Sequence, residues 1–77
     1  MPLAFVLITT DVGAEWDVIR RLRKVPNVKE VYASYGFYDV IAKVEAESIT
    51  KLKENIMKHI RLIKKVHSTS TMIVSDG

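Results

Sequence analysis

The sequence predicts an α+β fold, a four-stranded antiparallel sheet with two helices on one face, the ferredoxin-like βαββαβ plan. Three observations carry that prediction. A β-type apolar run opens the chain. Two segments with apolar residues at helical spacing follow, each succeeded by a further β-type run, so strand, helix, strand occurs twice. A glycine turn at Gly36 separates the halves. The strand order expected across such a sheet is 4-1-3-2.

Leu3 to Thr10 is rich in β-branched and aromatic residues, and both alternating sets are apolar: Leu3, Phe5 and Leu7 against Ala4, Val6 and Ile8. Both faces of that strand therefore need cover. Two helices cover one face, and a second copy of the chain is the expected cover for the other. Gly13 and Ala14 lead into a helix ending near Lys24, with Val18, Ile19 and Leu22 inward and Pro26 as a stop. Val28 to Tyr35 reads as the second strand and Phe37 to Glu45 as the third, joined by a tight hairpin centred on Gly36. On the third strand Tyr38, Val40, Ala42 and Val44 form the helix-facing set, which turns Phe37, Asp39, Ile41 and Lys43 to the other face. The second helix is expected from Ser48 as N-cap to about Ile63, burying Ile49, Leu52, Ile56, Ile60 and Ile63. A last strand runs from about Val66 to Val74, with Thr69 and Thr71 on the open face and Ser68 and Ser70 on the helix side.

Seventy-seven residues bound the chain to one domain, 1–77, that buries only about 60–65% of its unfolded surface. With no cysteine there is no disulfide framework or thiolate metal site, so oligomerisation is the expected reinforcement. The apolar opening is too short for a bilayer and lacks the flanks of a signal peptide, and a cytoplasmic location follows as the expectation. The net charge of +3 is densest at Arg20, Arg21, Arg23 and Lys24. Acids near the start of that helix and bases near its end match the helix macrodipole, so the cluster reads as a solvated helix face. Only weak, sequence-independent nucleic-acid binding is expected of it.

The turn Tyr35-Gly36-Phe37-Tyr38-Asp39 is the one place where the residue types suggest a ligand. Gly36 tolerates positive φ and close approach, and Asp39 offers an acceptor for an ammonium group. A bare Gly-x-x-Asp is weak, and Asp39 on its own reads equally as a cap of the hairpin backbone. His59 and His67 have no metal-ligand spacing, and no catalytic serine, phosphate-cradling loop or carboxylate pair is legible.

Ala4-Phe5-Val6-Leu7-Ile8, Val25-Pro26-Asn27-Val28, Gly36-Phe37-Tyr38-Asp39-Val40, and Val66 with Thr69, Thr71, Ile73 and Val74 together resemble the effector-binding (RAM) domain of the Lrp/AsnC family of feast/famine transcription regulators. The likeness runs nearly end to end. Because Met1 stands directly before the first strand, the resemblance is to a stand-alone module without the family's helix-turn-helix domain. It implies a non-enzymatic amino-acid sensor linked to transcription regulation of amino acid metabolism. The ligand lies between neighbouring dimers, held by Gly36, Asp39, Thr69 and Thr71, with Tyr38 and the Phe37 backbone as neighbours. It also implies a homodimer or an octamer of four dimers, hetero-assembly with a full-length regulator, no cofactor, no membrane and no direct sequence-specific nucleic acid binding. The family commonly has a small hydroxyl residue where this chain has Tyr35, whose ring could fill the pocket, reshape its specificity or pack at the oligomer interface, packing being the expected fate.

Two other readings stay open. A dimeric α+β-barrel enzyme, of monooxygenase or isomerase type, would use His67 as a base beside Tyr32 or Tyr38, an analogy of fold alone. A structural oligomerisation partner would bind no ligand at all.

Overall fold

The computed structural model describes residues 1–74. The elements are β1 (Leu3–Thr10), α1 (Glu15–Leu22), β2 (Val28–Ala33), β3 (Val40–Glu45), α2 (Ile49–Asn55), a π-helical segment (Ile56–Ile60) and β4 (Val66–Val74). The sheet is antiparallel with order β2-β3-β1-β4, the expected one read from the other edge. Ala4, Val6 and Ile8 of β1 and Val40, Ala42 and Val44 of β3 are buried under Val18, Ile19 and Leu22 of α1 and Leu52, Ile56 and Ile60 of the second helix. The opposite face, with Leu3, Phe5, Leu7 and Ile41 half-buried, has no covering layer among the described residues.

Three element boundaries depart from expectation. The first helix closes at Leu22, and its end tightens as Lys24 N–H reaches the Arg21 carbonyl and Val25 N–H that of Leu22. The second helix starts as expected, with the Ser48 hydroxyl accepting the Lys51 N–H at 3.1 Å, but does not run as α-helix to Ile63. After Asn55 it widens, and Arg61 N–H donates to the Ile56 carbonyl five residues back. Leu52, Ile56 and Ile60 recur every fourth residue, a spacing that drifts forward around an α-helix of about 3.6 residues per turn. The wider turn takes up that drift, so all three stay buried. Ile49 falls outside this stripe and is exposed, while Ile63 is half-buried beyond the helix end.

The third departure is the β2–β3 connection. Instead of a tight hairpin on Gly36, six residues from 34 to 39 join the strands, closed by Ser34 N–H to the Asp39 carbonyl at 2.8 Å. Tyr38 is therefore a half-buried loop residue and not a member of the helix-facing strand set.

The two halves share a device at the strand that follows each helix. Asn27 and Lys65 both take left-handed backbone at φ 75°, and the next residues, Val28 and Val66, donate to Val25 and Ile63 carbonyls. Each strand then carries one extra residue opposite its partner: Lys29 lies between Val28, paired with Val44, and Glu30, paired with Lys43. His67 lies likewise between Val66, paired with Thr10, and Ser68, paired with Thr9. Such a bulge flips the facing of everything beyond it. Val31 therefore shares the core side with Val28, and Thr69 shares it with Val66.

Candidate functional site at one end of the sheet

Strand β1 ends, and β3 and β4 begin, at the same end of the sheet. The 11–14 and 34–39 connections crown that end, and Asp39 sits where they meet. Its N–H donates to the Ile8 carbonyl at 2.8 Å. Its carboxylate Oδ2 accepts the Thr10 backbone N–H at 2.8 Å and faces the Thr10 hydroxyl at 3.5 Å. The carboxylate thus stands in for the next carbonyl of the β1–β3 ladder. Asp39 does not project to the open face as alternation suggested; it lies at the sheet end, because the loop turns its amide toward β1. The backbone-capping role is real, but the strand it caps is β1 and not its own hairpin. Oδ1 accepts no hydrogen bond among the described residues.

Gly36 takes φ 146°, a backbone that L side chains rarely adopt, and a Cβ there would meet nothing within 4 Å. Its glycine answers to backbone conformation and not to crowding by the chain itself. On either side of it Tyr35 and Phe37 are 100% and 95% exposed, and Val12 on the neighbouring connection is fully exposed as well. Tyr35 packs against nothing among the described residues of its own chain, which leaves the ring available to a second copy. Three unburied apolar side chains therefore stand on the two connections at the end of the sheet that also carries the half-occupied carboxylate.

Thr69 pairs with Ile8 and Thr71 with Val6, so both threonines stand on the helix side of β4, and Ser68 and Ser70 stand on the open face. This reverses the expected facing, and the extra residue at His67 is the cause. Asp39 and Thr69 flank Ile8 from opposite sides, about two strand spacings or 10 Å apart. Thr71 is two register pairs further from the loop end. One chain does not bring Gly36, Tyr38, Asp39, Thr69 and Thr71 around a single cavity, and neither of the two recesses described in the chain is lined by any of them.

Of the two tyrosines considered for a barrel-type enzyme, Tyr32 does not meet His67 within the chain. Tyr32 lies on the β2 edge and His67 on the β4 edge, with β3 and β1 between them. Tyr32 instead donates to Glu30, which also pairs with Lys43 at 3.1 Å. Those contacts lower the Glu30 carboxyl, through the Tyr32 hydroxyl first and then Lys43, and raise both the Tyr32 phenol and the Lys43 ammonium through Glu30. Among the described residues no three histidines, cysteines or acids gather as a metal site, and no helix is long and apolar enough to cross a membrane.

Sequence reasoning missed Thr10 as the partner of Asp39 and Val12 as one of the unburied apolar side chains at that end. Thr10 had no signal beyond its place at a strand end, whereas Val12 beside Gly13 is an apolar residue in a predicted turn.

The family model for the Lrp/AsnC ligand binding domain matches residues 3–76. The HTH-type transcriptional regulator FL11 of Pyrococcus furiosus is 36% identical over 72 residues, 94% of this chain and 47% of that protein. This chain thus spans about half the length of FL11. Homocitrate synthase of Sulfurisphaera tokodaii is 46% identical over 57 residues, which is 74% of this chain but 12% of the enzyme. That match covers too small a share of the enzyme to transfer its chemistry. Among solved structures, FFRP-DM1 superposes with TM-score 0.92 at 41% identity, covering 97% of this chain and all of that one. A feast or famine regulatory protein from M. tuberculosis, complexed with L-methionine, superposes with TM-score 0.82 at 26% identity over 100% of this chain and 52% of that one. By sequence and by structure, the chain belongs to the Lrp/AsnC ligand-binding domain family.

Proposed function

We infer that residues 1–77 act as a non-enzymatic amino-acid sensing and assembly module in transcription regulation. One observation carries this reading. At the loop end of the sheet, which also carries a glycine turn and three unburied apolar side chains, a carboxylate is anchored through one oxygen to the Thr10 N–H and leaves the other open. That is half of an amino-acid site: an acceptor for the ammonium and apolar surface for a side chain, but no donors for the carboxylate. The hydroxyls of Thr69 and Thr71 stand apart on the same chain, so a second copy is needed to complete the set. The L-methionine bound to the M. tuberculosis relative supports the ligand class. Copies meet through the uncovered sheet face as a homodimer, and dimers meet around the loop end to give assemblies up to an octamer of four dimers. A ligand held there shifts assembly only by its different affinity for the joined and separated states. Mixed assembly with a full-length regulator would carry the signal to DNA.

Titration calorimetry with L-methionine and the other proteinogenic amino acids, alongside mass measurement with and without ligand, tests the proposal. Asp39→Asn keeps an acceptor for Thr10 while removing the charge. It should weaken binding about ten- to a hundredfold with the fold intact. Unchanged affinity in that variant, or no heat with any amino acid, would overturn the site.

A further inference from the structure

On the outer surface of the helix layer, away from the uncovered sheet face, an open groove of about 1050 Å³ runs between α1 and the end of the second helix. Arg20, Arg21, Arg23 and Lys24 line it from one side, and Lys64 and Lys65 from the other. The sequence places these two groups forty residues apart, and only the fold makes them one surface. They are half of the chain's twelve lysines and arginines, and among the described residues Asp17 is the only acid that lines the groove. The remaining six cations and eight acids leave the rest of the chain net negative, so the overall charge of +3 conceals a strongly polar distribution. Asp17 is itself occupied, by Lys65 at 2.8 Å and by Arg20. Arg21, Arg23, Lys24 and Lys64 have no acidic partner among the described residues. The helix macrodipole accounts for a fraction of one charge at the end of α1, well short of this excess.

We propose that this groove binds the phosphate backbone of double-stranded nucleic acid without reading its sequence. Charge density selects that occupant. Arg20 and Arg21 lie in the last turn of α1, Arg23 and Lys24 just beyond it and Lys64 and Lys65 across the groove, so six cations crowd one surface, and duplex DNA, with one phosphate per ~1.7 Å of axis, supplies negative charge at matching density. A single small anion would be held by convergent, buried donors, whereas these side chains are exposed and strung along a shallow channel. The absence of any tryptophan, tyrosine or phenylalanine in the groove lining fits backbone contact and not the stacking of unpaired bases. The solvated-face reading of the α1 cluster is thereby revised, because it left out Lys64 and Lys65.

Fluorescence anisotropy with two unrelated duplexes of about 20 base pairs, across a salt series, measures the interaction on the full chain. Both duplexes should bind equally, with dissociation constants of about 10⁻⁴ to 10⁻⁶ M near physiological salt and a steep loss as salt rises. The triple variant Arg21→Gln, Arg23→Gln, Lys64→Gln should reduce the salt slope by about 2 to 3, at roughly 0.9 for each phosphate no longer neutralised. A control of equal charge loss outside the groove, Lys29→Gln, Lys53→Gln, Arg61→Gln, should change it much less. Circular dichroism monitors the fold of each. The proposal fails if neither duplex binds at low salt or if the control lowers the slope as much as the groove variant. It fails also if polyglutamate of matched charge competes as well as duplex, which would assign the groove to an acidic protein segment.

Discussion

The Asp39 carboxylate and the Thr10 backbone N–H are joined at 2.8 Å across twenty-nine residues, and this bond ties the candidate ligand loop to the end of the central strand. Asp39 therefore holds the loop and offers a free oxygen at once. Asp39→Ala should cost about 1–3 kcal/mol, the penalty for leaving a partly buried amide unmet, read as a lowered midpoint in urea unfolding. Asp39→Asn should retain most of that stability.

Gly36→Ala meets no atom within 4 Å, so any loss reports backbone conformation alone. Destabilisation of about 1–3 kcal/mol is expected for an L residue held at φ 146°. Thermal unfolding of the alanine and valine variants checks this, and a much larger loss for valine would show crowding that the chain itself does not contain.

Ile41 lies on the uncovered face beside Leu7, its partner in the β1–β3 register. Under the proposed dimer, Ile41→Lys places a charge in an apolar contact and should shift the mass in light scattering toward the 8.8 kDa monomer. The parent protein should remain at least dimeric at micromolar concentration.

Asp17 ties α1 to the turn before β4 through Lys65, whose hydrogen bond and charge, with Arg20 adding, hold the Asp17 carboxyl below its ordinary value. A depressed acid contributes stability that is fully present above its unfolded value near pH 4 and is lost as pH falls through the folded value. Asp17→Asn should remove that part of the acid dependence, making stability fall less steeply below about pH 4 in chemical unfolding followed across pH. Solvent exposure of the pair keeps the effect small.

The sheet order, both helices and nearly all of the core were legible because hydrophobic period is a local property that burial enforces directly. Val18, Ile19 and Leu22 announce one helix, and Ala4, Val6 and Ile8 one face of a strand, wherever the rest of the chain goes. The facing of Thr69 and Thr71 was not legible. One extra residue at His67 inverts the alternation, and nothing in Val66-His67-Ser68 distinguishes a bulge from regular strand. The repeat supplied a faint signal. Val28 and Val31 stand three apart, as Val66 and Thr69 do, and in both strands the inward pair straddles the bulge. The loop failed for a different reason: Gly36 marked a turn correctly, but its length was set by Asp39 turning its amide to Ile8, a contact from the first strand that no local pattern records.

Leu3 pairs with Glu45 on one side and with Val74 on the other, so the described chain enters and leaves the sheet side by side, at the end opposite the 34–39 loop. A polypeptide with that geometry can be spliced onto another protein through a single narrow stalk. Whatever is attached there approaches from behind the sheet and leaves Tyr35, Phe37 and Asp39 facing outward. That geometry suits attachment to very different hosts, and related sequence does occur both in a regulator of about twice this length and, as an eighth of the chain, in an enzyme.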